Sequence, residues 1–202
     1  MYLHKSPQIL KSTFSDAYWE IKTDSKELYL TFDDGPHIEV TPLILDILKD
    51  FEAKATFFCV GENILKNPKI YQRILDEGHQ VGNHTFSHNN GWSNSNVDYF
   101  KSYLKCQELT KTDLFRPPYG RISPKQYQLI KKRTKIIMWT VLSGDFDSSN
   151  STEKCIENVQ SGIKNGSIIV FHDSAKAKDR VLGSLSALLY DLSEQGYIFK
   201  AL

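Results

Sequence analysis

The chain has 202 residues, of which 40% are hydrophobic and 24% charged, and its formal net charge is +1. That length suits one sizeable core and is short for two. A balance this close to neutral leaves no electrostatic footprint for nucleic acid or an anionic membrane, and no apolar run approaches the ~20 residues that span a bilayer.

Residues 1–26 precede any regular pattern and are expected to form an N-terminal extension packed on the main domain, with Trp19 as its apolar anchor. Met1-Tyr2-Leu3-His4-Lys5-Ser6-Pro7 lacks the charged-then-apolar layout of a secretory signal. By sequence the protein is cytoplasmic, unless this is a mature form from which an export segment is absent. From Glu27 onward short apolar runs alternate with amphipathic segments. Glu27–Phe32 is the first expected strand, because aromatic and β-branched residues crowd a short stretch with no helical spacing. It ends in Asp33-Asp34, and Gly35-Pro36 then turns the chain. Adjacent carboxylates at the end of a buried strand repel each other and lose solvation, so the pair fits either a solvated turn or a neighbouring cation. Thr41–Phe51 is the first expected helix, with Thr41 as cap and Pro42 at the first helical position. Ala55–Val60 is the second strand and carries Cys59 as a small core residue. Cys59, Cys106 and Cys155 show neither metal-ligand spacing nor a disulfide framework, and no chemistry is assigned to them.

A helix at Pro68–Glu77, ended by Gly78, leads into a strand at Gln80–Asn83. His84-Thr85-Phe86-Ser87-His88 follows, with two histidines four apart. If a helical turn begins after Asn83, both imidazoles project from one face and reach the same cation; otherwise the spacing is a surface coincidence. The pair sits at the C-terminal end of a strand, as Asp33-Asp34 does, and that edge of a strand–helix barrel or open α/β sheet gathers functional groups. Two imidazoles and one carboxylate form a common catalytic zinc set. A zinc protease would place glutamate directly after the first histidine as base. Thr85 occupies that position, so the second carboxylate of Asp33-Asp34 is the available supplier. His88–Val97 reads as a surface loop, in which Asn89, Asn90, Trp92 and Asn94 are either sugar-contacting groups or simply solvated.

Further on, a helix is expected at Asn96–Thr112, a strand at Leu114–Arg116 and a helix at Pro124–Arg133. Arg116-Pro117-Pro118-Tyr119-Gly120 is a stiff turn that fixes Arg116 and Tyr119. A strand at Lys135–Leu142, a helix at Thr152–Lys164 and a strand at Ser167–His172 come next. His172 is either a capping or core histidine, or an acid for a leaving group. A helix at Asp179–Glu194, ended by Gly196, and a strand at Tyr197–Lys200 complete the series. This alternation predicts an α/β fold with a parallel sheet and right-handed crossovers, left open or closed into a barrel one unit short of eight.

Thr31-Phe32-Asp33-Asp34-Gly35-Pro36, His84-Thr85-Phe86-Ser87-His88, Arg116-Pro117-Pro118-Tyr119, Gly144-Asp145-Phe146 and Val170-Phe171-His172 occur in the order of the motifs of a known family. The chain resembles the polysaccharide deacetylases, the family 4 carbohydrate esterases with a NodB-like homology domain, over residues 27–202. The resemblance implies a distorted (β/α) barrel of about seven strand–helix units as a single catalytic domain. It also implies a divalent metal, zinc first, with cobalt, nickel or manganese as alternatives. Carried over by position, Asp34, His84 and His88 bind the metal and Asp33 is the general base, oriented by Arg116. His172 is the general acid, held and tuned by Asp145, and the backbone N–H of Tyr119 stabilises the oxyanion. Phe146, Val170 and Pro118 line the small pocket for the acetyl methyl. Three positions depart from the usual pattern: Phe146 stands for tryptophan, Val170 for leucine, and Leu142 for an acid three positions before Asp145. All three touch the pocket wall and none touches a metal ligand.

The implied function is hydrolysis of the acetamide C–N bond in N-acetylglucosamine-containing glycans: peptidoglycan, chitin-type oligomers or exopolysaccharide. The expected partner is therefore an acetylated glycan met by a monomer, with neither nucleic acid nor a membrane span, and such glycans place the working protein in the periplasm, the cell envelope or outside the cell. An O-acetyl esterase of xylan-type polysaccharide and a catalytically silent glycan-binding module are the alternatives. An aspartyl phosphatase would need its two carboxylates separated by one residue, and here they are adjacent.

Overall fold

The computed structural model describes residues 11, 12 and 14–202. The part of the expected extension at residues 1–10 and 13 lies outside the described residues. Parallel strands form the frame: β1 (Glu27–Asp33), β2 (Ala55–Cys59), β3 (Gln80–Asn83), β4 (Leu114–Phe115), β5 (Lys135–Ile136), β6 (Val141–Leu142) and β7 (Ile168–His172). They lie in the order β5-β4-β3-β2-β1-β7-β6, and β8 (Ile198–Phe199) pairs with the first residues of β1. The sequence is circular except between β5 and β6, the two ends of the path, so the sheet curls as a distorted barrel that stays open there. Residues 18–21 cross that opening, bridging Tyr18 to Ile137 just after β5 and Glu20 to Ser167 just before β7. Trp19 is buried in a cluster with Tyr103, Phe115 and Tyr127, and its Nε1 donates to Phe14 O at 3.2 Å.

The helices are α1 (Val40–Asp50), α2 (Gly61–Lys66), α3 (Pro68–Asp76), α4 (Asn96–Thr110), α5 (Pro124–Ile130), α6 (Thr152–Gln160) and α7 (Lys178–Glu194). β1 is buried from Leu28 to Phe32 because strands flank it on both sides and helices cover its outer face. On that face Phe32 stacks between Phe57 of β2 and Phe171 of β7, with ring centroids 4.9 and 5.9 Å away. Ile44, Leu45 and Leu48 of α1 and Val181, Leu185 and Leu188 of α7 belong to the same core. Side chains alternate along a strand, so Thr31, Asp33, Val170 and His172 point the other way, into the barrel.

The structure corrects four expectations. Lys135–Leu142 is not one strand but two, because the carbonyls of Ile137 and Met138 leave the ladder to accept from the Arg116 guanidinium at 3.2 and 3.0 Å. Thr41 does not cap α1. The N-cap is Glu39, and Thr41 Oγ1 accepts from His37 N and donates to Asp173 instead. α2 fills the stretch after Val60, where no element was expected. Residues 84–88 form no helical turn: Thr85 and His88 adopt left-handed conformations, with φ of 62° and 50°. Gly78 and Gly196 do follow helix ends, at φ of 74° and 81°. All three cysteines are free and buried, and no helix among the described residues is long and apolar enough to cross a membrane.

Candidate active site

Because the strands are parallel, their C-terminal ends share one edge, and every motif residue lies on or just beyond it. The deepest is Arg116, directly after β4 and fully buried. Its Nη1 donates to Thr31 Oγ1 and Asp33 Oδ1, both at 2.7 Å, while Nε and Nη2 donate to Ile137 O and Met138 O. The guanidinium also lies 4.2 Å from the Phe58 ring centroid, and Phe58 finds room because Gly82 beside it has no Cβ to strike the ring. A buried cation costs several kcal/mol of solvation unless it is paired and hydrogen-bonded, and this one has both kinds of partner. Burial lowers the Arg116 pKa, and Asp33 offsets only part of that. Asp33 is thereby locked in one orientation at the barrel mouth.

Asp34 turns away from its neighbour through a left-handed backbone, φ 86°, with its carbonyl held by Asn63 Nδ2 at 2.7 Å. Its Oδ1 lies 3.0 Å from His88 Nε2 and 3.7 Å from His84 Nε2. One ligand atom from each of Asp34, His84 and His88 falls within 4.8 Å of the others. What brings the histidines together is the Asn83 side chain, whose Oδ1 accepts from Thr85 N at 2.9 Å and stabilises the left-handed turn. Below it, Asn83 Nδ2 donates to Tyr103 O at 3.0 Å. His84 Nδ1–H donates to Arg116 O at 2.8 Å, which leaves its Nε2 lone pair facing the carboxylate. Burial pushes the His84 pKa down to about 4, outweighing Asp33 and Asp34, so the ring is neutral near pH 7. Burial would raise the Asp34 carboxyl, but the hydrogen bond from His88 and the nearby imidazoles of His172, His88 and His84 hold it well below the usual range.

His172 stands opposite Asp33 in the β1–β7 register. Asp145 grips it twice: Oδ2 accepts from the His172 backbone N–H at 2.7 Å and Oδ1 from Nδ1 at 2.8 Å. Burial lowers the His172 pKa, yet Asp145, with Asp34 and Asp33 behind it, raises it to about 9. Phe146 packs edge-on against the ring at 5.0 Å. Val170 is buried two positions earlier on the same inner face, and Pro118 is buried at the start of the 3-10 turn Pro118–Gly120. In that turn Tyr119 has φ 60°, and its ring reaches 4.6 Å from His88. Two surface depressions, one lined by Lys11, Tyr18, Trp19 and Lys164 and the other by Lys22, Thr23, Asn165 and Tyr197, involve none of these groups.

The profile of the polysaccharide deacetylase family matches residues 20–134, more than half of the chain. The chain belongs to the polysaccharide deacetylases. It is 31% identical to a peptidoglycan-N-acetylglucosamine deacetylase of Bacillus cereus, over 90% of this chain and 88% of that one. It is 34% identical to a chitooligosaccharide deacetylase of Azorhizobium caulinodans, over 76% of each. A crystal structure of a peptidoglycan N-acetylglucosamine deacetylase superposes with a TM-score of 0.89 at 32% identity, covering 98% of this chain and 95% of that one.

One residue of this polysaccharide deacetylase escaped the sequence reading. Asp173 is fully buried behind the Asp33–Gly35 turn, where Oδ1 accepts from Gly35 N at 2.9 Å and Oδ2 from Thr41 Oγ1 at 2.6 Å. Its own N–H donates to Asp33 O at 3.1 Å. Gly35 must be glycine, since a Cβ there would overlap the Asp173 carboxyl. Burial pushes the Asp173 pKa up to about 8. The available signal was an acid following a buried apolar strand, but its partners lie more than 130 positions away and no local pattern links them. Asp173→Ala is expected to lose about 1–3 kcal/mol of stability through the unpaired Gly35 N–H. Asp173→Asn, which can accept from Gly35 and donate to Thr41, should recover most of it; urea unfolding of the three proteins reads the difference.

Proposed function

We propose that this polysaccharide deacetylase removes acetyl groups from the amide nitrogen of N-acetylglucosamine units in a cell-wall-type glycan, using a divalent metal. The observation that carries the reading is the Asp34–His84–His88 triad lying beside Asp33 and His172, two proton-handling groups on adjacent strands in register. The names of the relatives from Bacillus cereus and Azorhizobium caulinodans support the glycan class.

The donor set fits a metal. A lone pair on His84 Nε2 facing a carboxylate oxygen at 3.7 Å is repulsive, and a cation between them reverses the sign. Two imidazoles and a carboxylate, with His84 held by a carbonyl behind it, suit zinc first, and cobalt, nickel or manganese also bind such sets. Asp34, His84 and His88 would hold the ion, which when bound acidifies a water and polarises the acetyl carbonyl.

The chain's own groups do the rest. Asp33, fixed by Arg116, takes a proton from the attacking water. His172, charged near neutrality, gives a proton to the departing amine, which would otherwise leave as an unstable anion. Asp145 keeps the His172 ring oriented and raises its pKa. The Tyr119 backbone N–H is the donor assigned to the developing oxyanion. Phe146, Val170 and Pro118 form the walls for the acetyl methyl, and Phe146 already lies against His172. Such a substrate lies outside the cytoplasmic membrane, so the working enzyme belongs on the envelope side.

The test is acetate release from equal-length N-acetylglucosamine oligomers, peptidoglycan fragments and acetylated xylan, with and without a chelator. Chelator-sensitive release from the amide substrates is expected. Release from xylan alone, or release that survives metal removal, overturns the reading. Asp145→Asn gives a second check. Without the carboxylate, only Asp34 and Asp33 remain to oppose burial, and the His172 pKa falls from about 9. The active form of His172 is protonated, so the basic limb of the pH–kcat profile moves to lower pH in the variant. The same shift makes stability pH-dependent. The Asp145–His172 pair contributes fully below pH 6.5 and its contribution is lost as pH rises through about 9.

A further inference from the structure

The face beside the triad carries a row of rings and charge that the chemistry above does not use. Beyond His88 and Tyr119, the Arg121 guanidinium lies 6.0 Å from the Tyr119 ring and 5.1 Å from the Trp92 ring. Tyr119 is 61% exposed and Trp92 68%, so two large rings stand in water, Tyr119 against His88 and Trp92 on the other side of Arg121. Arg121 is exposed as well, and among the described residues no carboxylate lies within ion-pair distance of it.

The row is held in place by its backbone. Gly91 N donates to Arg121 O at 3.2 Å, and Arg121 N donates to Pro118 O at 3.0 Å. The buried Gln126 side chain donates to Gly91 O at 3.0 Å and accepts from Ser123 N at 2.8 Å, tying the two loops together. A Cβ on Gly91 would strike the Arg121 carbonyl, so glycine is what lets the loops approach.

We infer that Trp92, Arg121 and the Tyr119 ring form a shelf that binds an anionic glycan, with sugar rings on the aromatic faces and a carboxylate on Arg121. The inference rests on the deacetylase reading and names the substrate class for that site. A pyranose offers an apolar C–H face to an aromatic ring, and exposed rings of this size mark binding surfaces. A guanidinium binds a carboxylate through two parallel N–H donors, and stacking between rings holds the fork ready. A neutral glycan would leave that charge without a partner. The carboxylate is carried either by the sugar next to the one being deacetylated or by a short peptide attached to it.

Four substrates of equal length separate the outcomes: a neutral N-acetylglucosamine oligomer, an oligomer alternating with a carboxylate-bearing sugar, the same oligomer with that carboxylate converted to a methylamide, and one bearing an acidic peptide there. For the wild type, KM is expected to be about tenfold lower on at least one of the two anionic substrates than on the neutral and methylamide ones, with kcat little changed. Which anionic arm responds identifies the source of the carboxylate. Raising salt should erase the preference. Arg121→Gln should bring the ratio of kcat/KM between anionic and neutral substrates to about one, and Arg121→Lys should restore it in part. Trp92→Ala should raise KM on every oligomer. A wild type that treats all four alike, or an Arg121→Gln variant that keeps the preference, overturns the inference while leaving the deacetylase reading intact. If no substrate releases acetate, the deacetylase reading fails instead, and calorimetric binding of the same oligomers decides the shelf, equal affinities overturning it.

Discussion

Asp33→Asn is expected to lower turnover about 10²–10⁴-fold while the bound metal stays near the wild-type amount. At the site of reaction the substitution removes the proton acceptor while keeping an oxygen for Arg116. An asparagine Oδ1 can still accept from Arg116 Nη1, as Asp33 Oδ1 does at 2.7 Å, and Asp33 is not one of the three clustered groups, Asp34, His84 and His88. The fold will register the change, because Arg116 is fully buried and loses its counter-ion. Up to about 3–5 kcal/mol of destabilisation follows when one partner of a buried pair is removed, less here because the hydrogen bond survives. His172→Ala should lower turnover to a similar degree, by removing the proton that the leaving amine needs. Acetate release, metal content of the purified protein and urea unfolding, measured on both variants, separate the effects. Parallel loss of metal and activity in both would mean that Asp33 and His172 hold the ion rather than move protons.

How far the sequence could anticipate this arrangement depends on how local each cause is. β1 and β7 were legible because strands buried on both sides read as unbroken apolar runs, and Thr31–Asp33 and Val170–His172 keep their register once both are drawn. The break between β5 and β6 was not legible, since its cause is the guanidinium of Arg116, some twenty positions away, which claims two carbonyls. The four-residue spacing of His84 and His88 picked out residues that do meet, but a helical face is not what joins them. A side-chain amide, Asn83, stabilises a left-handed turn instead, and periodicity carries no trace of that. Thr41 looked like a helix cap because its neighbour is proline; in three dimensions its hydroxyl serves Asp173. Asp173 itself follows a histidine already singled out, yet its partners are Gly35 and Thr41 on a distant part of the chain. What the sequence hides here is buried polar satisfaction across strands, which depends on contacts far apart along the chain.

His88→Ala is expected to abolish metal-linked stability with a small effect on the metal-free fold. A ligand that binds only the native state adds RT ln(1 + [L]/Kd), about 4 kcal/mol at a thousandfold excess over Kd. Zinc should therefore raise the unfolding midpoint of the wild type, and the same concentration should leave His88→Ala almost unmoved. The choice of histidine matters. His84 is buried and its Nδ1–H satisfies the Arg116 carbonyl, so His84→Ala leaves a cavity and an unpaired buried acceptor even without metal. The His88 side chain is 27% exposed, and its partners are the Asp34 carboxylate and the Tyr119 and His84 rings, so truncation costs the metal-free protein about 1 kcal/mol. Any loss of zinc-induced stabilisation in His88→Ala then reports on the site and not on the fold. On the proposed mechanism, activity should fall by orders of magnitude in the same variant, because the residues left would hold the ion too weakly to acidify a water. Undiminished stabilisation of His88→Ala by zinc would place the metal elsewhere and leave Asp34, His84 and His88 a group of neighbouring side chains with no part in hydrolysis.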